Sequence, residues 1–476
     1  MTISAQAIKF ALNFIAAAVL ARLLSPREFG LVGMVLGVTG LVGVFKELGL
    51  STATVQRDKI TQQQVSNLFW INVGFSGLLA VVSASLSPFV ATFYHDVRVA
   101  GIMLVLSLTF LLTGSTVQHQ ALLIRQMRFQ ALAVIDVTSI GIGFASACLA
   151  AWLGYGYWAL VAQQVMTAFS TLIMTWCTSG WRPQLPTTNS GVKPLVKFGA
   201  HLSLADFIGQ ISVNSDSVLL GRFFGAEPLG LYTRSNVLLA RPIQQVITPL
   251  NSVLIPVLSR LQTDALRYRR SFMRAYDTLA LIVFTFAAMC FVLSKPLVLV
   301  ILGAKWTGVI PLFSAFTLVA ISGPLASVCT WIYESQARGQ DQLRNHVAAG
   351  VVTVVSYLAG LPWGPLGVIV SLSIISLFIR MPIVYYIAGR EGPVRTRDLW
   401  KAFLSHLPCW GVVWITTSCA YKLVEQYAPI TQVAVAAPIG LGLGLAVILL
   451  FRRPRESVLF AWTTARRALM ARFVTS

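Results

Sequence analysis

Apolar residues recur along almost the whole chain in long runs, separated by short stretches that carry proline, glycine or basic residues. A helix crossing a bilayer needs about 20 consecutive, mostly apolar residues, because each adds only ~1.5 Å of rise. The pattern predicts about fourteen such spans. They fall at roughly 5–24, 30–48, 66–93, 99–118, 131–153, 157–177, 198–223, 230–256, 274–293, 308–330, 346–362, 365–387, 402–421 and 432–451. The tightest break is Pro362-Trp363-Gly364-Pro365. The second and eighth spans are the least apolar, interrupted by glycines and polar residues. The first run ends without a small-residue cleavage site, so it reads as a retained helix and not a signal peptide. Almost no polar tail precedes it, which places the true start of the chain in question.

Composition supports this picture. Of 476 residues, 56% are hydrophobic and 11% charged, against about 25% charged in a soluble domain. An ordinary cytosolic enzyme, a disordered chain and a secreted disulfide scaffold are excluded. The net charge of +20 does not point to nucleic acid, because no stretch between spans is long enough to form a basic soluble module. Its distribution is topological. With the N-terminus inside, the loops on the inner side hold about three basic residues for each one outside, which predicts cytoplasmic N- and C-termini. In the tail, Val458, Trp462, Ala465, Leu469 and Phe473 recur at helical spacing while Arg466, Arg467 and Arg472 lie off that stripe. This predicts a basic amphipathic helix on the anionic inner leaflet. The six cysteines form no CxxC pair and read as small hydrophobic fillers. The five histidines are scattered without metal-ligand spacing, so no metal site is expected.

One motif occurs twice. Leu20-Ala-Arg22-Leu-Leu-Ser25-Pro26-Arg-Glu-Phe29-Gly30-Leu31 returns 200 residues later as Leu220-Gly-Arg222-Phe-Phe-Gly225-Ala226-Glu-Pro-Leu229-Gly230-Leu231. Each copy sits at the outer end of the first span of a six-span set. Copies separated by an even number of spans enter the membrane in the same sense, so two parallel bundles are expected, with a substrate path between them. The expected fold is therefore an all-α polytopic membrane protein with two six-helix lobes in parallel pseudo-repeat. The lobes are placed at 1–190 and 191–395, two additional transmembrane helices at 396–451, and the basic tail at 452–476. Arg22, Pro26, Gly30, Arg222, Gly225 and Gly230 form the repeated rim.

The first copy, with Glu47-Leu-Gly-Leu-Ser-Thr-Ala-Thr-Val-Gln-Arg57 and Phe69-Trp-Ile-Asn72, resembles the polysaccharide-exporting branch of the multidrug/oligosaccharidyl-lipid/polysaccharide (MOP) superfamily. Asp216-Ser-Val-Leu-Leu-Gly-Arg222-Phe-Phe-Gly, Gly230-Leu-Tyr-Thr-Arg234 and Pro256-Val-Leu-Ser-Arg-Leu-Gln262 resemble its second-half motifs. The resemblance covers essentially the whole chain. It implies a Wzx-like flippase of the bacterial inner membrane. Such a protein moves undecaprenyl-diphosphate-linked oligosaccharide to the periplasmic leaflet by alternating access, for exopolysaccharide or lipopolysaccharide biosynthesis. Its expected partners are that polyprenyl-diphosphate-linked oligosaccharide, membrane lipids and other polysaccharide-assembly proteins. A cation-coupled multidrug exporter of the sister MATE branch is the alternative, and a polysaccharide polymerase or ligase a third reading.

Charged groups inside a span are costly and usually face a cavity or a partner. Lys9, Arg234, Arg241 and Arg380 are the candidates for a cationic wall that takes the diphosphate, since guanidinium offers paired donors to phosphate oxygens. Asn13, Asp206, Gln210, Asn214, Asp216, Gln163 and Gln164 are the candidate neutral and coupling groups. Competing readings stay open: Lys9 snorkelling to the inner face, Arg222 and Arg234 marking the outer interface, and Asp206 and Asp216 pairing structurally with arginine. No catalytic constellation and no nucleotide loop are present, so no enzyme and no cofactor are expected. Energy would come from an H+ or Na+ gradient, the membrane potential, or downhill movement of product.

Overall fold

The computed structural model describes residues 3–43, 51, 54–55, 60–187 and 210–449. The amphipathic tail, Asp206 and Arg57 lie outside the described residues. No strand occurs among the described residues, and nine helices there are long and apolar enough to cross a membrane. The chain is an all-α, multi-pass membrane protein. It divides into two compact units, Met1–Thr233 and Arg234–Ser476.

In the first unit the helices are α1 (Ile3–Leu23), α2 (Pro26–Gly43), α3 (Gln62–Tyr94), α4 (Arg98–Gly114), α5 (Val117–Arg125), α6 (Phe129–Trp152) and α7 (Trp158–Ser179). A further helix, α8, covers 210–224. α6 packs on α7 and α1, α3 on α4, and α4 on α7 and α2. Thr61 starts α3 by accepting from Gln64 N while the Gln64 side chain accepts from Thr61 N, a capping box. The segment 181–187 is strapped along α3. Asn67 donates to the Thr187 carbonyl at 2.6 Å and accepts from Thr187 N at 3.0 Å, and Trp70 Nε1 donates to the Gln184 carbonyl.

α9 (Ala226–Arg260) runs from the first unit into the second. The second unit continues with α10 (Ala265–Val292), α11 (Ser294–Ile301), α12 (Val309–Ser327), α13 (Thr330–Ser335), α14 (Gly339–Gly360), α15 (Gly364–Ile375), α16 (Met381–Gly389), α17 (Thr396–Val424) and α18 (Pro429–Ile448). In one cluster of its core, Tyr276, Leu279 and Phe284 of α10 meet Leu325 of α12, Trp331 of α13, Tyr385 of α16 and Phe403 of α17. The break at 361–363 is a single 3-10 turn, as the Pro-Trp-Gly-Pro sequence predicts. α15 and α16 are joined by a π-helical turn, Ser376–Arg380, an irregularity that is frequent at functional sites.

Small residues let helices approach where lipid offers no hydrophobic drive for association. Gly440 and Gly444 of α18 face α17. A Cβ on Gly440 would overlap Thr417, while one on Gly442, between them, would meet nothing. Thr416 Oγ1 donates to the Gly440 carbonyl at 2.9 Å, so the glycine-rich stretch is a packing face.

The structure also reveals a second repeat. Gln126-Met127-Arg128-Phe129-Gln130 and Gln336-Ala337-Arg338-Gly339-Gln340 are 210 residues apart. Met127 and Ala337 both adopt the left-handed conformation, with φ 55 in each, an uncommon choice for non-glycine residues. The arginine that follows donates to a helix-end carbonyl: Arg128 Nη1 to Thr178 O and Arg338 Nη1 to Ala388 O, each at 3.0 Å. These acceptors are again 210 apart. In the second unit the clamp is richer, because Asp341 is buried between Arg338 and Arg390 at 2.7 and 2.5 Å.

Candidate functional site

The glycines that weaken the second span as an apolar run form one face of α2. Gly30, Gly33, Gly37 and Gly40 follow at spacings of three and four, the period of a helix face. A Cβ on Gly30 would overlap the Ala226 carbonyl oxygen, Gly33 sits against Leu229, Gly37 against Ser217 and Val218, and Gly40 against Asn214. From Gly37 to Gly40 the partners fall from Ser217 and Val218 to Asn214, so α2 runs antiparallel to α8, while Gly30 and Gly33 meet the start of α9. The contact at the rim is reciprocal. Gly30 meets Ala226, Gly230 meets the Pro26 carbonyl, and both pairs map onto each other by the 200-residue offset. The two copies of the motif thus pack against each other about a local pseudo-twofold. Gly225 turns the chain between α8 and α9 with φ +83, where the first copy has Ser25 bonded through N and Oγ to Glu28 Oε2. Arg222 lies over the Phe93 ring at 5.5 Å, and Arg22 is exposed.

This close approach positions the polar groups of α8. Asn214, beside Gly40, donates to the Gln210 carbonyl at 3.2 Å. Asp216 is buried and takes hydrogen bonds from Ser217 N at 2.5 Å and Tyr232 Oη at 3.1 Å. Its partners are backbone, hydroxyl and phenol, and not an arginine. Lys9 is paired with Asp136 of α6 at 2.8 Å, with both side chains part-exposed, and Asn13 donates to the Lys9 carbonyl. Asp136 is a carboxylate alone in the apolar run of the fifth span, a signal the sequence carried. What it could not carry was the partner, 127 residues away. On α7, Gln163 is half-buried and Gln164 exposed.

The pair predicts a double-mutant signature. Lys9→Met leaves an unmatched carboxylate in a span, so its thermal unfolding midpoint should fall. Lys9→Met/Asp136→Leu should restore most of the loss, because what destabilises is the orphaned charge. Equal losses in the single and the double variant would contradict this.

In the second unit, α9 is amphipathic. Ile243, Ile247 and Leu258 are buried in the core cluster, with Leu250 and Leu254 packed on it. The opposite face, Arg241, Gln244, Gln245, Thr248 and Ser252, is exposed. Arg234 lies two turns before Arg241, near enough for the two charges to repel. Pro242, Pro249 and Pro256 recur every seven residues along the helix, each removing one backbone donor. Arg380 sits on the π-helical turn, half-buried, and its Nε has no hydrogen-bond partner among the described residues. Within the first unit, predicted Lys9 and Asn13 come together with Asp136, and predicted Gln210 and Asn214 are bonded to each other beside Gly40. Within the second, Arg241 lies on the α9 stripe with Arg234 two turns before it, and Arg380 lies on the π-helical turn.

Known proteins share this architecture. At 13% identity and a TM-score of 0.73, a structure titled lipid II flippase MurJ in an inward closed conformation covers 94% of this chain, and 98% of that chain is covered. An inward-facing multidrug resistance MATE transporter of the MOP superfamily aligns with a TM-score of 0.62 at 13% identity, over 83% of this chain and 96% of its own. Both show the fold alone. Among curated proteins, the teichuronic acid biosynthesis protein TuaB of Bacillus subtilis is 26% identical over 72% of this chain and 71% of its own. The lipopolysaccharide biosynthesis protein WzxC of Escherichia coli is 23% identical over 85% and 84%. Residues 19–311, more than half of the chain and including both copies of the rim motif, match the family model described as polysaccharide biosynthesis protein, and the chain belongs to that family.

Proposed function

We propose that this protein is a flippase that carries undecaprenyl-diphosphate-linked oligosaccharide from the cytoplasmic to the periplasmic leaflet by alternating access, for exopolysaccharide or lipopolysaccharide assembly. The observation that carries the reading is the exposed polar stripe of α9. The sequence places α9 as a span, and a span that leaves Arg241, Gln244, Gln245, Thr248 and Ser252 uncovered within its unit needs water or a polar ligand beside it, because lipid satisfies none of these groups. Arginine suits a diphosphate, and the amides and hydroxyls suit sugar hydroxyls. Arg380, with its unbonded Nε, adds a second phosphate donor. The relatives named for teichuronic acid and lipopolysaccharide biosynthesis support the same class of cargo. The stripe bears no carboxylate, which disfavours the cationic substrates of a drug exporter, and the chemistry assigned is transport without catalysis. The membrane is the bacterial inner membrane, with both termini cytoplasmic, as the basic loops indicate.

The test is translocation of a labelled polyprenyl-diphosphate oligosaccharide in proteoliposomes. Movement of the sugar head group between leaflets is expected, and its absence with matched substrate rejects the proposal. Arg241→Ala should lower the rate about tenfold or more, the worth of a charge-assisted hydrogen bond to phosphate, with folding unchanged because the side chain is exposed. Arg241→Lys should recover only part, having lost the forked geometry. Wild-type transport by Arg241→Ala would remove Arg241 from the path.

A further inference from the structure

Three prolines stand inside α9, Pro242, Pro249 and Pro256, where a span can least spare a backbone donor. Proline has no N–H, so each leaves the carbonyl four residues earlier without its helical donor, and its ring pushes that carbonyl aside. The carbonyls concerned are those of Leu238, Gln245 and Ser252. Positions seven apart on a helix differ by only about 20°, so all three share one face. That face is the polar stripe. Gln245 and Ser252 belong to it and are exposed, as are Pro249 and Pro256, while Leu238 and Pro242 are half-buried. The rotation of α9 that turns this face outward is fixed from behind. Ile243, Ile247 and Leu258 are buried in the core cluster, and Trp331 Nε1 of α13 donates to Asn251 Oδ1 at 2.6 Å.

We propose that the Leu238, Gln245 and Ser252 carbonyls form a ladder of neutral acceptors that binds the sugar hydroxyls of the cargo as its head group crosses. The proposal rests on the transport reading above and deepens it. Successive rungs are ~10 Å apart along the helix, and the ladder covers ~21 Å of a hydrocarbon core about 30 Å thick.

The chemistry of the stripe calls for such acceptors. Each sugar hydroxyl has a hydrogen to donate, whereas a guanidinium such as that of Arg241 accepts nothing. Ser252 Oγ already donates to the Pro249 carbonyl at 2.8 Å, which turns it toward the helix backbone. A carboxylate on the stripe would accept from hydroxyls, but it would repel the diphosphate and is costly inside a span. A carbonyl released by proline accepts without carrying charge. Arg241 and the ladder thus divide the head group between them: the guanidinium takes the diphosphate and the carbonyls take the sugars.

Binding by the purified full-length protein tests this with two probes, undecaprenyl diphosphate carrying a labelled oligosaccharide and undecaprenyl diphosphate alone. Pro249→Ala restores the N–H that closes on the Gln245 carbonyl. It should raise Kd for the glycosylated probe about three- to tenfold, the worth of one hydrogen bond, and leave Kd for the bare diphosphate unchanged. Its thermal unfolding midpoint should hold or rise, since alanine suits a helix interior far better than proline. Pro256→Ala should behave alike, and the double variant should multiply the two effects, because the rungs are ~10 Å apart. A proline needed only as a bend would leave both affinities at wild type, and a general distortion would weaken both alike; either result overturns the proposal. So does a loss confined to sodium-containing buffer, which would make the carbonyls ion ligands. A wild type that holds the glycosylated probe no more tightly than the bare one also overturns it. If wild type binds with the expected proline dependence but moves no oligosaccharide in liposomes, the transport reading has failed and the ladder has not.

Discussion

Gly30→Ala is expected to destabilise the protein by about 1–3 kcal/mol, the usual cost of overpacking, and to impair transport. Alanine is otherwise the better helix former by about 1 kcal/mol, so a loss isolates the contact. The added Cβ would fall on the Ala226 carbonyl oxygen, and a backbone atom cannot rotate aside as a side chain can. α2 and the start of α9 must then separate, and with them the Gly37–Ser217 and Gly40–Asn214 contacts that position the polar groups of α8. Gly230→Ala should cost a similar amount, because it meets the Pro26 carbonyl. The double variant should cost less than the two losses combined, since one separation relieves both overlaps. Gly74→Ala in α3, where a Cβ would meet nothing within 4 Å, is the control and should be neutral or stabilising. Thermal unfolding in detergent and transport in liposomes read both effects. If Gly30→Ala and Gly74→Ala behave alike, the reciprocal rim contact is not what holds these helices together.

Arg338→Ala should lower stability by roughly 3–5 kcal/mol, the range for removing one partner of a buried ion pair. The guanidinium donates to Asp341 Oδ2 through Nε at 2.9 Å and Nη2 at 2.7 Å. It also donates to the carbonyls of Ile387, Ala388 and Glu391, each at 3.0 Å. Truncation leaves these carbonyls, at and just beyond the end of α16, without this donor and leaves Asp341 leaning on Arg390 and Arg344. Arg338→Lys should rescue little, because one ammonium cannot span a carboxylate and three carbonyls. The equivalent Arg128→Ala should cost only about 0.5–1.5 kcal/mol, the net worth of an ordinary hydrogen bond. Arg128 makes one exposed bond, to Thr178 O. Melting temperatures of the two variants, compared directly, check the contrast. Equal losses would show that Asp341 does not make the second clamp the stronger one.

Both effects show where sequence reading reached and where it stopped. The spans were legible because a membrane helix must satisfy its own backbone and cover about 20 residues with apolar side chains. Each predicted span that falls on described residues has its helix, down to the break at 361–363. The 200-residue repeat was legible because twelve consecutive positions carried it. The Gln-x-Arg-x-Gln repeat was equally present, but five loop residues without apolar periodicity give no pattern until the left-handed turn and the shared acceptor position are seen. The glycines of α2 looked like weakness in a span; the structure makes them its contact face.

The pattern along the chain determined, by itself, the helical class, the span positions, the basic bias of the loops and the polar face of α9. Only the tertiary structure decided that Lys9 belongs with Asp136, that Asp216 belongs with Tyr232, and that Gly30 and Gly230 answer each other across the rim. The physical reason is that a helix sequence states which of its faces is polar, apolar or small, and not which helix will lie on that face. In a bilayer lipid is as apolar as leucine. The choice of partner therefore falls to close backbone packing and a few directional polar bonds, and these exist only once residues more than a hundred positions apart have come together.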